Sequence, residues 1–195
     1  MIERGLKILF VGSILSAVAI ALVGGYFTYE SAPPYPGQTV AEGSGDVLFD
    51  RENLLAGQAV WQKYGLMDLG SIWGHGTYRG TEFTADTLHR MGQYMRDWQA
   101  RAQARTDYAG LPERDRRELD YQVIQELKKN RYDASADRLA LTPAQVHALK
   151  KMREHYDRAF SEGVPDANMV PRAIVDPVER RDLADLPLAT LQRFS

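Results

Sequence analysis

A long segment near the N-terminus contains no charged residue. From Ile8 to Tyr29 the sequence contains no Asp, Glu, Lys or Arg, which is a run of about 22 residues. An α-helix needs about 20 apolar residues to cross the hydrocarbon core of a bilayer. The segment therefore predicts one membrane-spanning helix, and the more polar remainder of the chain is expected to fold in water.

The charges that flank this segment predict its orientation. Arg4 and Lys7 precede it, and Glu30 is the first charged residue after it. Positive charges favour the cytoplasmic side, so the N-terminus is expected in the cytoplasm and the remaining chain outside it. In a bacterium, this describes an inner-membrane protein with a periplasmic domain. The alternative is a cleaved signal peptide, which the length of the run and the lack of a clear A-x-A site disfavour.

The composition of the whole chain excludes several classes of function. The 24 Lys and Arg against 26 Asp and Glu give a net charge of -2, which argues against nucleic acid as a partner. Because the sequence contains no cysteine, it excludes disulfides, thiolate metal sites, cysteine nucleophiles and thioether attachment of haem. We find no dinucleotide-binding, P-loop or hydrolase signature.

Outside the apolar segment, the sequence pattern predicts a mainly α domain with a small β-hairpin. Residues 31–37 are rich in proline and predict an extended stalk. The turn at 43–45, rich in Gly and Ser, is expected to join strands at 39–40 and 46–49. A further short strand is predicted at 139–141. Helices are predicted over 50–64, from Thr84 or Asp86 to about 106, after Pro112, from Thr142 to about 162, and after Asp176.

The four histidines do not form a recognisable metal site. His147 and His155 lie eight residues apart on the last long helix without an acidic partner at ligand spacing, so both are expected at the surface. His89 lies beside the apolar stripe of its helix and is expected to be partly buried. His75 lies in a glycine-rich loop, where a hydrogen-bonded packing role is favoured over a metal or haem ligand. The apolar stripe expected in the core comprises Leu88, Met91, Met95, Trp98 and Ala102.

Two segments of the chain resemble the N-terminal region of quinol-dependent nitric oxide reductases. The first runs from Ala56 to Tyr78 and includes the sequence VWQKYG, and the second runs from Phe83 to Arg90. The membrane helix, the proline-rich stalk and the helix start at 141–145 also match. The resemblance therefore covers most of the chain.

The resemblance implies a cytochrome-c-like fold that carries no haem. In the related two-subunit enzymes, the corresponding helix leads into a CxxCH haem-binding motif. Here Leu66 and Leu69 occupy the positions of the two cysteines, and Gly70 occupies that of the axial histidine. Covalent attachment needs both thiols and ligation needs the imidazole, so no cofactor is expected in this chain. The apolar side chains expected to fill the volume of the haem are those of Leu66, Met67, Trp73 and Met91.

The resemblance also implies a division of the chain. Residues 1–30 are the expected membrane anchor, and residues 31–49 the stalk and hairpin. Residues 50–175 are the expected cytochrome-c-like domain without haem, and residues 176–195 a tail that would lead into the catalytic membrane portion. In the family, that portion holds the haems, the non-haem iron and the quinol site. None of those residues has a counterpart here, so no catalytic, cofactor-binding or metal-binding residue is expected in this chain.

The expected function is therefore structural. The chain is expected to be the non-catalytic N-terminal portion or a subunit of a quinol-dependent nitric oxide reductase, which reduces nitric oxide to nitrous oxide in denitrification. Its expected partner is a polytopic, haem-containing catalytic portion, whose periplasmic face it would cover. The alternative is a stand-alone, membrane-anchored binding or assembly factor derived from such a domain, which the lack of a second apolar span favours.

Overall fold

The predicted mainly α class, with an N-terminal apolar helix followed by a helical domain, is confirmed by the structure. The predicted small hairpin is part of a larger, four-stranded sheet. The computed structural model describes residues 2–30, 35–68, 70–72, 81–164, 174 and 176–185. The chain divides into two units, residues 1–34 and residues 35–195. Stalk residues 31–34 lie outside the described residues, and the finer division into 31–49, 50–175 and 176–195 stays a prediction.

The first unit contains one uninterrupted helix, α1 (Ile2–Glu30). Residues 3–30 of this helix are long and apolar enough to cross a membrane. The hydroxyls of Ser13 and Thr28 donate to carbonyl oxygens of their own helix, at Phe10 and Gly24, over 2.8 Å in each case. These hydroxyls are satisfied without water, which lowers the cost of placing them in an apolar medium.

The second unit contains a four-stranded mixed sheet and a separate pair of short strands. The hairpin of the first two strands was predicted, and Gly43 and Gly45 in its turn have the positive φ that glycine tolerates best. The sheet has the order β2-β1-β6-β5, and β6 runs parallel to β1. The strands are β1 (Gln38–Ala41), β2 (Val47–Asp50), β3 (Gly70–Ser71), β4 (Thr81–Glu82), β5 (Tyr132–Asp133) and β6 (Arg138–Leu141).

Five helices of the second unit follow the predicted order. The Asp50 carboxylate accepts a hydrogen bond from the backbone N–H of Asn53 at 2.9 Å, which caps the first of them. The capping box of Thr142 and Gln145 is also present, with bonds of 3.2 and 2.9 Å. The helices are α2 (Arg51–Lys63), α3 (Phe83–Ala104), α4 (Glu113–Lys128), α5 (Pro143–Glu162) and α6 (Pro177–Asp185).

The boundaries and the buried face of α3 differ from the prediction. The helix begins at Phe83 because the Glu82 side chain accepts from the N–H of Ala85 at 2.5 Å. It ends at Ala104, where the next residue turns into the left-handed region. Met91 and Met95 are fully buried as expected, but Ala102 is exposed, because the helix has left the domain core by its last turn. Leu88 and Trp98 are partly buried.

Two apolar clusters form the core of the second unit. The larger one joins the sheet, α2, the first turn of α3, α5 and α6, and it contains Trp61, Leu66, Phe83, Tyr156, Phe160 and Leu183 among others. The smaller one joins α3, α4 and the first turns of α5, and it contains Met91, Met95, Leu119, Val123 and Ala148 among others.

Candidate functional site

The turn after α2 is the candidate site, because it corresponds to the haem-binding turn implied by the resemblance. Tyr64 caps α2, and its backbone N–H donates to the carbonyl of Val60 at 3.1 Å. Gly65 follows in the left-handed region with φ of 60°. A side chain would be strained in this conformation, so glycine lets the helix stop and the chain reverse. A single 3₁₀ turn, Leu66–Asp68, comes next and leads towards β3.

The side chain of Leu66 is part of the domain core. It is 1% exposed and belongs to the larger apolar cluster. Aromatic rings form much of that cluster. Trp61 and Phe83 meet edge to face with ring centroids 5.3 Å apart. The ring centroids of Phe83 and Phe160 are 6.1 Å apart. Leu66 therefore contributes to close packing rather than to the lining of an opening.

The four residues expected to fill the volume of a haem do not share one environment in the structure. Leu66 is buried, as predicted. Met67 is 53% exposed, so its predicted place in the core is wrong. Successive side chains of a 3₁₀ helix point about 120° apart, so a turn that buries Leu66 directs its neighbour outwards. Met91 is buried, but in the smaller cluster between α3 and α4 rather than with Leu66. Trp73 lies outside the described residues, as does Leu69 at the position of the second cysteine.

The residues of this turn do not fit a covalently bound haem. The chain contains no cysteine, so neither thioether bond can form. Gly70, at the position of the axial histidine, has no side chain to bind iron and is paired with Thr81 in the short parallel ladder of β3 and β4. Leu66 at the first cysteine position is committed to the core.

The histidines are separated in the structure. His89 is exposed, with Nε2 2.9 Å from the Gln93 amide nitrogen, so its predicted partial burial is wrong. The surface position expected for His155 is also wrong, because its side chain is only 17% exposed between α3 and α5. His147 is partly buried on α5, where burial and the charge of Lys151 lower its pKa. His75 lies outside the described residues. Within the residues described, no three His, Asp or Glu side chains are grouped as a metal site would require.

A buried polar network between α3 and α5 was not found from the sequence. The Tyr156 hydroxyl lies 2.6 Å from the Thr87 hydroxyl and donates to the Asp86 carboxylate at 3.2 Å. Arg90 donates from Nε to both oxygens of Asp86, at 2.8 and 2.9 Å. His155 Nε2 lies 4.0 Å from the same carboxylate. The spacing of Asp86 and Arg90 was a visible signal, but the place of Tyr156 in an apolar stripe concealed its polar role.

Burial determines the titration of this network. It raises the pKa of the Tyr156 hydroxyl, and the neighbouring Asp86 charge adds to the effect. It also lowers the pKa of His155, with a further contribution from the Arg90 charge, while Asp86 acts in the opposite direction. Both side chains are therefore held in their neutral forms near neutral pH. The hydrogen bonds of this network join α3 to α5.

A family model for the NorB cytochrome c-like domain, a domain of nitric oxide reductase, matches residues 37–187. The match covers most of the chain. The chain belongs to this family. The comparison with curated proteins gave no match. The match to the family model confirms the predicted resemblance and associates the chain with nitric oxide reductase.

The NorB cytochrome c-like match extends over the second unit rather than over one motif. It begins just before β1 and ends just after α6, so it includes every described strand and the five helices after α1. The turn at Leu66 lies inside it. The family is a domain of a nitric oxide reductase subunit, so the match is consistent with a place for this chain in a membrane complex. The apolar helix α1, which precedes the match, is consistent with the same place.

Proposed function

We propose that this chain is the haem-free, non-catalytic N-terminal portion, or a separate subunit, of a quinol-dependent nitric oxide reductase. It would cover the periplasmic face of a polytopic, haem-containing catalytic portion. The observation that carries this proposal is the burial of Leu66 in the core. The resemblance assigns to Leu66 the position of the first haem-binding cysteine of a c-type cytochrome. The family match supports the association with the reductase.

The proposed role is structural because the residues of the turn after α2 cannot attach a haem covalently. Leucine and glycine occupy positions at which covalent haem attachment needs thiols and an imidazole. Electrons from quinol would therefore reach the catalytic portion without passing through this domain. The periplasmic location rests on the basic residues Arg4 and Lys7 before α1 and on Glu30 at its other end.

The test is to isolate the native polypeptide from source membranes in mild detergent with an antibody to the second unit. We expect either a single polypeptide far larger than 22.0 kDa or a 22.0 kDa chain that co-purifies with a polytopic haem protein. After denaturing electrophoresis, the part of the polypeptide that contains this domain should carry no covalently bound haem. A proteolytic fragment containing residues 35–195 serves to separate its absorbance from that of the catalytic haems.

Two results would contradict the proposal. A stoichiometric haem absorbance band on the fragment would show that the domain binds haem despite Leu66 and Gly70. Purification of the 22.0 kDa chain alone, with nitric oxide reduction unaffected by its loss, would favour the alternative of a stand-alone binding or assembly factor.

A further inference from the structure

Glu179 on α6 joins the end of α2 through both of its carboxylate oxygens. Lys63, the last residue of α2, places Nζ 2.5 Å from Oε1 of Glu179. The Tyr64 hydroxyl donates to Oε2 at 2.6 Å. Lys63 and Tyr64 directly precede the turn that contains Leu66. The Glu179 side chain is 21% exposed and that of Lys63 is 60% exposed, so the contact lies at the edge of the domain.

The positions of these charges suit both helices. Glu179 lies in the first turn of α6, where the N-terminal end of the helix dipole favours a negative charge. Lys63 lies in the last turn of α2, where the C-terminal end favours a positive charge. The hydrogen bonds from Lys63 and Tyr64 lower the pKa of Glu179, so the carboxylate stays ionised at neutral pH. One ion pair thus joins the ends of two helix dipoles in an attractive arrangement.

Apolar and polar contacts hold the rest of α6 against the domain. Leu183 is fully buried in the same cluster as Leu66. Arg180, one turn before Leu183, donates to Asp157 of α5 at 2.8 Å and to the carbonyl of Ile174 at 3.1 Å. The helix has only nine residues, so it is too short to be stable in water without such contacts.

We propose that Lys63, Tyr64 and Glu179 form a latch that holds α6 closed against α2 and fixes the position of the chain at Asp185. When the latch is lost, the contacts of Leu183 and Arg180 remain, but α6 leaves the core more often while the other helices keep their packing. Its role rests on the proposed function, in which residues 176–195 lead towards the catalytic portion. The closed latch then determines where the domain is attached to that portion.

Hydrogen exchange of the full chain in detergent micelles tests the latch. Glu179→Gln keeps the shape of the side chain and removes its charge. We expect amides of residues 178–185 to exchange about tenfold faster in this variant, since a hydrogen bond to a charged group is lost at each of two partners. Tyr64→Phe keeps Glu179 ionised and removes one hydrogen bond, so it should give a smaller increase in the same amides.

The matched control is Arg181→Gln, which places the same new residue on the exposed side of α6. This control should leave exchange of α6 within about twofold of the unaltered chain. Raising the salt concentration to about 1 M should speed exchange of α6 in the unaltered chain but not in Glu179→Gln, because salt screens an exposed ion pair.

The outcomes separate the latch from a general effect on folding. Unchanged α6 exchange in Glu179→Gln would overturn the proposal, as would an equal increase in all helices of the second unit. Neither result depends on haem or on a partner, because the measurement uses this chain alone. If the latch opens as expected while the chain proves not to associate with a catalytic portion, the latch stands and the role of fixing an attachment point fails.

Discussion

Leu66 and Met67 are adjacent residues with opposite surroundings. Leu66 packs in the aromatic core, whereas Met67 points to the surface. Both are apolar and of similar size, so the difference arises from the direction that the 3₁₀ turn imposes on each side chain. Of these two side chains, Leu66 is therefore the one whose burial stabilises the domain.

We expect Leu66→Ala to lower the free energy of unfolding by about 2–5 kcal/mol, because it leaves a cavity in a close-packed core. Chemical denaturation of the full chain in detergent, followed by tryptophan fluorescence, measures this change. Met67→Ala is the matched control and should change the free energy of unfolding by less than about 0.5 kcal/mol. Equal losses in the two variants would show that Leu66 does not fill the core as described.

Tyr156 is the residue whose titration has the clearest consequence for stability. Its pKa is raised in the folded domain, so the unfolded chain loses this proton first as the pH rises. The contribution of the neutral hydroxyl is thus complete below about pH 10 and declines as the pH rises above that value. Tyr156→Phe should lower the free energy of unfolding at pH 7 by about 1–2 kcal/mol, because Thr87 and Asp86 lose a buried partner.

The same variant should show a weaker loss of stability between about pH 10 and pH 12, because the tyrosine that titrates there is gone. Denaturation midpoints measured across this range give the comparison. Tyr121→Phe, at an exposed position on α4, is the control and should leave the stability at pH 7 unchanged. If Tyr156→Phe lost as much stability between pH 10 and pH 12 as the unaltered chain, this would contradict the raised pKa of Tyr156.

Among the elements, the start of α5 connects three helices. Thr142 caps α5 through the N–H of Gln145 and also donates its hydroxyl to Glu126 of α4. Glu126 in turn accepts from the Gln99 amide of α3 at 2.7 Å. The cap was visible in the sequence, but its connection to α3 and α4 joins residues that are distant in the chain.

Thr142→Ala is expected to lower the free energy of unfolding by about 1–2 kcal/mol, because it removes the cap of α5 and a hydrogen bond to Glu126. Helicity measured by circular dichroism during thermal unfolding follows the change. Thr142→Ser keeps the hydroxyl and should retain most of the stability. If serine were as destabilising as alanine, packing of the threonine methyl group rather than the cap would be responsible.

The whole molecule combines a membrane-type helix with a helical domain of the NorB cytochrome c-like family. The domain holds its elements together through contacts between distant parts of the chain, such as the ladder of β1 with β6 and the ion pair of Lys63 with Glu179. The helix α1 needs no such contacts for its backbone, because its N–H and C=O groups bond within the helix. A substitution in the middle of α1 is therefore expected to act on membrane insertion.

Ala19→Arg places a charge near the centre of the uncharged segment and should disfavour membrane insertion by about 2.5–3.5 kcal/mol. We expect a large fraction of the protein to move from the carbonate-resistant membrane fraction to the soluble fraction. Limited proteolysis should show that the second unit stays folded. Gly5→Arg adds the same residue among the N-terminal basic residues and should keep the chain in the membrane. Full retention of Ala19→Arg would contradict a single span centred on this segment.

Features that depend on neighbouring residues could be predicted from the sequence. The uncharged run predicted α1, and Asp50 and the Thr142 capping box predicted the starts of α2 and α5, because a helix start is set by hydrogen bonds within four residues. The absence of cysteine excluded thioether attachment without any coordinates. The hairpin was also predicted, since its turn and strands are adjacent in the chain.

Contacts between distant residues became known from the folded domain. It pairs β6 with β1, brings His155 beside Asp86, turns Met67 outwards and joins Glu179 to Lys63. Local patterns contain the tendency of each segment to form a helix or strand, but they do not contain the position of one segment relative to another. Those positions follow from burying the apolar faces of all segments together, so they appear only when the whole domain is packed.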